Sequence, residues 1–292
     1  MTIEKGAIIM KIKYYGTAAA EGIPALFCYC DVCEKARKAG GRNIRTRSQT
    51  KINDDLLIDF SADTYSHVLY QGLDLREIKS CLITHGHDDH LYPYDFIYRL
   101  SPVYAHFPNN NEGKIPLDIY LTRRSAKELN ACFKSQNVFM RDKDALRVNF
   151  IKKFVPFETA GYTVTALRAT HALNLDPVIY IIQKDGKSLL YAHDTGYFPD
   201  DTWKYIEKSG IRFDYVSLDC TSTKNEKAYN NHMGLKACCE VKERLMKKNA
   251  DEKTIFCVNH FSHNGGYTYD ELVPIAEKEG FIVSYDSMEV EF

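Results

Sequence analysis

Ten residues constrain this chain more than any other stretch: Cys81-Leu82-Ile83-Thr84-His85-Gly86-His87-Asp88-Asp89-His90. The apolar run over 80–83 reads as the end of a buried strand, and His85, His87, Asp89 and His90 follow it within six residues. A core cannot desolvate that many imidazoles and carboxylates without giving them partners. The competing account is a merely polar surface loop, which leaves this density unexplained. Two metal ions close together supply the partners. His85 and His87 on one side of a tight turn can share one ion, and Asp89 and His90 can face a second. Imidazole nitrogen and carboxylate oxygen suit borderline metals such as zinc.

Three more apolar runs end in a His or an Asp. His171 follows 162–167, Asp194 follows 188–191 and His260 follows 254–258. Functional groups collect at such positions. Together they complete a dinuclear site, with His85, His87 and His171 on one ion and Asp89, His90 and His260 on the other. Asp194 bridges them, because a carboxylate has two oxygens where neutral imidazole offers one lone pair. His193 competes with Asp194 and is expected to be packed behind it. Turn-forming roles are the plain alternatives for His171 and Asp194. His67 reads as a surface or partly buried helix residue and His106 as a loop residue.

Nine cysteines, an odd number, do not make a disulfide framework. Three of them lie in Cys28-Tyr29-Cys30-Asp31-Val32-Cys33, expected as a loop over 28–33. Three thiolates need one more ligand to close a tetrahedral zinc site, and His263, three residues after His260, is the candidate. Redox or plainly reactive thiols are the alternative.

Charged residues make up 26% of the chain and the formal net charge is -1, so no nucleic-acid footprint is evident. No long apolar segment follows the first residues, which leads to the expectation of a cytoplasmic protein without a membrane span. Periodicity predicts strands at 8–15, 50–60, 80–83, 117–121, 148–155, 162–167, 178–182, 188–192, 213–218, 254–258 and 281–284. Helices are predicted at 63–71, 95–100, 125–133, 202–209, 234–248 and 269–279. The pattern is α+β: two sheets with helices outside, in one domain over 1–292, with 101–116 a long loop of the kind that borders active sites.

The run Thr84–His90, with His171, Asp194 and His260, resembles the signature of the metallo-β-lactamase superfamily. The resemblance implies a four-layer αββα sandwich of two mixed sheets, with a dinuclear site at one edge. The Cys28, Cys30, Cys33 and His263 set is similar to that of the PhnP-like phosphodiesterases, which implies one structural zinc. His232 falls where PhnP-like and tRNA 3'-processing members keep a catalytic histidine. The implied cofactors are two divalent ions, zinc or manganese, besides that zinc. The implied reaction is attack of a bridging hydroxide on a small cyclic or linear phosphodiester. His232 then serves as general acid or phosphate-binding group, with Asp89 and Asp194 in the catalytic set. Extra length near 101–116 and 134–147 would reshape the pocket. No basic exosite is evident, which argues against tRNA or another large nucleic acid as partner. The PQQ-synthesis relatives share the cysteine loop, so two alternatives stay open: a lactone, thioester or lactam hydrolase, and a non-hydrolytic accessory protein of cofactor biosynthesis. A homodimer is open on base rate alone.

Overall fold

Alternation along the strands sorts side chains into three apolar layers, and three layers require four layers of structure around them. In the run 178–182, Val178, Tyr180 and Ile182 enter one cluster while Ile179 and Ile181 enter another. Leu82 and Cys81 divide in the same way between the central cluster and a third. The computed structural model describes residues 9–100, 103–107, 116–137 and 145–292. Of the expected border loop, 101–102 and 108–115 lie outside the described residues, as do 138–144 of the second long segment.

The first half supplies β1 (Lys11–Gly16), β2 (Gln49–Ile52), β3 (Leu56–Ile58), β4 (Ser80–Leu82), β5 (Leu117–Leu121) and β6 (Leu146–Phe150). It also holds helices α1 (Asp31–Ala39), α2 (Thr64–Gln71), α3 (Phe96–Leu100) and α4 (Ser125–Ser135). The second half supplies β7 (Phe157–Thr159), β8 (Tyr162–Arg168), β9 (Val178–Lys184), β10 (Lys187–Ala192), β11 (Tyr215–Asp219), β12 (Ile255–Asn259) and β13 (Ile282–Val283). Its helices are α5 (Asp200–Ser209), α6 (Leu235–Met246) and α7 (Tyr269–Lys278), and β14 (Glu289–Glu291) follows. The sheets run β14-β1-β2-β3-β4-β5-β6 and β13-β12-β11-β10-β9-β8-β7. Both mix parallel and antiparallel pairs. Met10, Ile12, Tyr14, Leu82, Tyr180 and Tyr191 fill the space between them. Phe96, Leu129 and Phe133 cover one outer face, and Val32, Trp203, Val241 and Ala276 cover the other. This is the αββα sandwich. No helix among the described residues is long and apolar enough to cross a membrane.

Four predicted elements change. The strand expected at 50–60 is the hairpin β2–β3, turning at Asn53, whose φ of 47° asparagine tolerates. The strand expected at 148–155 stops at Phe150; Phe154 has φ 64° and its amide bonds to Ala166 in the other sheet. The cysteine segment is not all loop, since Asp31 opens α1 and places Cys33 in the first helical turn. The last strand is not 281–284: β13 is two residues long, and the chain recrosses to pair β14 with β1. β7, absent from the prediction, pairs with β8 across Ala160-Gly161, both at positive φ, as tight hairpin turns require.

His67 also departs from expectation. It is fully buried under α2, with Nδ1 2.6 Å from Gln49 Oε1 and Nε2 2.8 Å from Thr46 Oγ1. Burial depresses its pKa from 6.5 to about 4. The unfolded chain therefore binds a proton that the folded one refuses, so this residue's contribution is present above pH 6.5 and is lost as pH falls toward 4. The loss amounts to about 3 kcal/mol at most. Denaturant unfolding of wild type and His67→Gln across that window should give a shallower pH slope for the variant; equal slopes would remove His67 from the acid lability.

Candidate metal centre

Six strand ends build one cluster. β4 leads into His85, His87, Asp89 and His90; β8 leads to His171, β10 to Asp194, β11 to Asp219 and β12 to His260, while β3 ends at Asp59. The backbone is held in the left-handed region at Asp59, Asp194 and His260, with φ of 63°, 50° and 62°. Asp and His tolerate this region better than most residues, and three such positions gathered at one sheet edge are what functional sites often show.

His85, His87, His171 and Asp194 bring one ligand atom each within 4.8 Å of one another, and so do Asp89, His90, Asp194 and His260. Asp194 belongs to both groups. Ring nitrogens approach lone pair to lone pair: His85 Nε2 to His87 Nδ1 is 2.8 Å, His171 Nε2 to His87 Nδ1 3.3 Å, and His90 Nε2 to His260 Nε2 3.2 Å. Asp194 Oδ2 lies 2.6 Å from His90 Nε2 and 3.3 Å from His85 Nε2, while its buried Oδ1 takes no hydrogen bond. Ligands on a tetrahedral ion with bonds of ~2.1 Å sit ~3.4 Å apart. These residues therefore fit a pair of cations, which would turn mutual repulsion of lone pairs into coordination. Burial pushes the His85 pKa well below its ordinary value, assisted by His90 and His171. For His90, burial is overcome by Asp89, Asp59 and Asp194, which raise the pKa well above it.

The outer contacts aim the rings. Asp59 Oδ1 accepts from the Thr84 amide at 2.8 Å and from its hydroxyl at 3.0 Å, and Oδ2 accepts His90 Nδ1–H at 2.7 Å. His171 Nδ1 donates to the Asn231 carbonyl at 3.1 Å, and His260 Nδ1 meets Thr221 Oγ1 at 2.9 Å. A ligand ring with its far nitrogen engaged keeps one tautomer and one orientation. Sequence reasoning missed Asp59 and Asp219 as site residues. Asp59 was visible as the one charge in an apolar run. Asp219 ends a strand just as Asp194 follows one, but no second histidine beside it drew notice.

Asp219 gathers five donors: the amides of Asp194, Thr221 and Met233, the Thr221 hydroxyl and His232 Nδ1, at 3.0–3.1 Å. His232 stands at the cluster's edge, its side chain 27% exposed. Burial lowers its pKa, but Asp219 and then Asp194 outweigh burial and lift it from 6.5 to about 9. Gly196 permits this placement, since a Cβ there would meet the Tyr229 carbonyl oxygen at 2.2 Å. His193 stays outside both groups; its Nε2 bonds Ser217 Oγ at 2.7 Å and its ring packs on Tyr191. His106 is an exposed loop residue.

The second cluster joins distant parts of the chain. His263 Nδ1 lies 3.4 Å from Cys28 Sγ and 3.3 Å from Cys30 Sγ, and with Cys33 all four ligand atoms fall within 4.8 Å. Burial pushes the Cys33 thiol up to about 12, so a cation is what would hold it as thiolate. The donor set fits zinc.

A cavity of about 510 Å³ opens over the first cluster. Ala19, Ala20, Glu21, Ser222, Asn225, Ser262 and Asn264 form its walls, and His87, Asp89, His171, Asp194, His232 and His260 reach into it.

The sequence model of the Beta-lactamase superfamily domain matches residues 55–251, and the chain belongs to the metallo-β-lactamase superfamily. A Ribonuclease Z of Picosynechococcus sp. is 29% identical over 162 residues, which is 56% of this chain and 44% of that protein. The chain thus matches less than half the length of that relative. Among solved structures, a diphosphatase from the PhnP family superimposes with TM-score 0.74 at 20% identity, covering 98% of each chain. Zn²⁺-bound PqqB from Methylobacterium extorquens gives 0.69 at 18%, covering 96% of this chain and 99% of its own. The short form of human tRNase Z gives 0.64 at 14%, covering 96% and 98%. These three likenesses carry the fold.

Asp59→Ala should weaken retention of the ion that His90 would hold by roughly 10–100-fold, measured as metal per chain after dialysis against graded chelator; unchanged retention would remove Asp59 from the assembly. Cys30→Ser should lower both zinc content and melting temperature. Wild-type values for both would count against the cysteine site.

Proposed function

We propose that this chain hydrolyses a small phosphodiester, cyclic or linear, with two divalent ions, zinc or manganese, in the first cluster and one structural zinc in the second. The observation that carries this reading is the Asp219–His232 pair at the rim of a cavity floored by five of the seven converging candidate ligands. Cations bound there would lower the pKa of a water and offset phosphoryl charge. The chain's own groups do the rest. His232 Nδ1 is engaged by Asp219, which fixes the ring and favours its protonated form. The other ring nitrogen is left to bind a phosphoryl oxygen or to give a proton to the leaving alkoxide. Asp219 cannot swing away, because three backbone amides hold it. The walls shield one face of the substrate from bulk water. The relatives support chemistry at phosphorus: one is named a diphosphatase, one a tRNase and one a ribonuclease.

The test is metal-dependent cleavage of bis-p-nitrophenyl phosphate beside a lactone and a thioester. His232→Ala should reduce phosphodiester turnover by roughly 10²–10⁴-fold while metal content per chain stays at the wild-type level. Turnover of the lactone or thioester alone would overturn the reading, and an unaffected variant would take His232 out of the reaction.

A further inference from the structure

The wall of the cavity carries information that the ligand cluster does not use. Glu21 lines it on one side, and Ser222, Asn225 and Asn264 line it with Ser262 elsewhere. No Lys, no Arg and no aromatic ring other than histidine lines it among the described residues. Of the cations nearby, Arg47 binds the Ala20 carbonyl at 2.8 Å and Asp63 at 3.0 Å, and the Lys224 ammonium sits 4.1 Å over the Tyr267 ring.

Glu21 is held from behind. Its Oε1 accepts from Ser262 Oγ and lies 3.6 Å from His263 Nε2, the far side of the ring that faces Cys28 and Cys30. Its Oε2 takes no protein partner among the described residues, and the side chain is 31% exposed. The Asn264 side chain and the Asn225 amide nitrogen are likewise uncommitted there. A carboxylate with two amides offers acceptors and donors at the reach of hydroxyl groups. It offers no cation to a second phosphate, whose charge the Glu21 carboxylate opposes, and with no ring to stack on it offers no platform for a nucleobase.

We infer that Glu21, with Asn225 and Asn264, is the specificity wall of this site: it takes the uncharged polyol part of a singly charged phosphodiester and turns away a substrate bearing a second phosphate. This rests on the phosphodiesterase reading. Rejection comes from an unmatched like charge, which discriminates more sharply than one hydrogen bond gained.

The experiment compares ribose 1,2-cyclic phosphate with its 5-phosphorylated counterpart. In the metal-loaded wild type, kcat/KM should favour the unphosphorylated compound by about tenfold or more. E21Q keeps an acceptor for Ser262 and should shrink that ratio by about tenfold while zinc content stays constant. Calorimetric binding of both compounds to the His232→Ala protein and to its E21Q double variant reads the same ratio without turnover. A wild type that prefers the phosphorylated compound overturns the inference, as does a ratio indifferent to E21Q in both kinetics and binding, or binding of neither compound. Failure to cleave any phosphodiester, with the binding ratio as expected, removes the reaction and leaves the wall.

Discussion

The Asp194 carboxylate, buried among imidazoles from both halves of the chain, is the constraint on which the rest of the structure depends. His85 and His90 come from the first sheet's side, and His171 and His260 from the second's. A group so placed cannot be solvated by water, and its neighbours' lone pairs repel one another unless cations stand between them. At this edge the two sheets meet through charged and polar ligand candidates, which bound cations would join, where elsewhere they meet through apolar packing. Left-handed backbone at Asp59, Asp194 and His260 shows the local cost of bringing the ligands in. The apolar layers above and below offset it by fixing the strands that carry them.

The second cluster has a different task. Cys28, Cys30 and Cys33 pin the start of α1 to the segment that carries His263, a few residues after the ligand His260. That segment and the turn after β1 both line the cavity. Glu21 stands between them and touches both the cysteine cluster's histidine and Ser262. A structural ion there would hold the substrate wall in position from outside the reacting centre. The two segments are already joined by backbone bonds between Ala19, Thr17 and Phe261, and the ion would add a second tie further along each. Supporting shells of this sort give a functional site its precision.

How much could be read beforehand follows from what each signal depends on. The ligand run Thr84–His90 is local, and its density has only one economical explanation, so it is legible without the fold. His171, Asp194 and His260 are legible because an apolar strand ends just before each. Asp59 and Asp219 follow the same rule but stand without a histidine beside them, and a lone carboxylate at a strand end resembles a turn residue. His67 was misread because helical position alone does not reveal burial; the β2 side chain Gln49 and Thr46, far away in sequence, enclose it. The expected last strand, 281–284, shrank to β13, and β14 went unpredicted, because alternation reports that a segment is extended and is silent on which sheet receives it.

The sequence by itself determined the chemistry of the ligands, the α+β sandwich and the identity of both candidate clusters, because these depend on residue type and short spacing. Only the tertiary structure decided which carboxylates stand behind the rings, where His232 meets Asp219, and that Glu21, Asn225 and Asn264 line one cavity. Those are relations between residues from 13 to 243 positions apart. They are set by how the two sheets pack and how the loops cross at their edge, and short-range patterns carry no record of either.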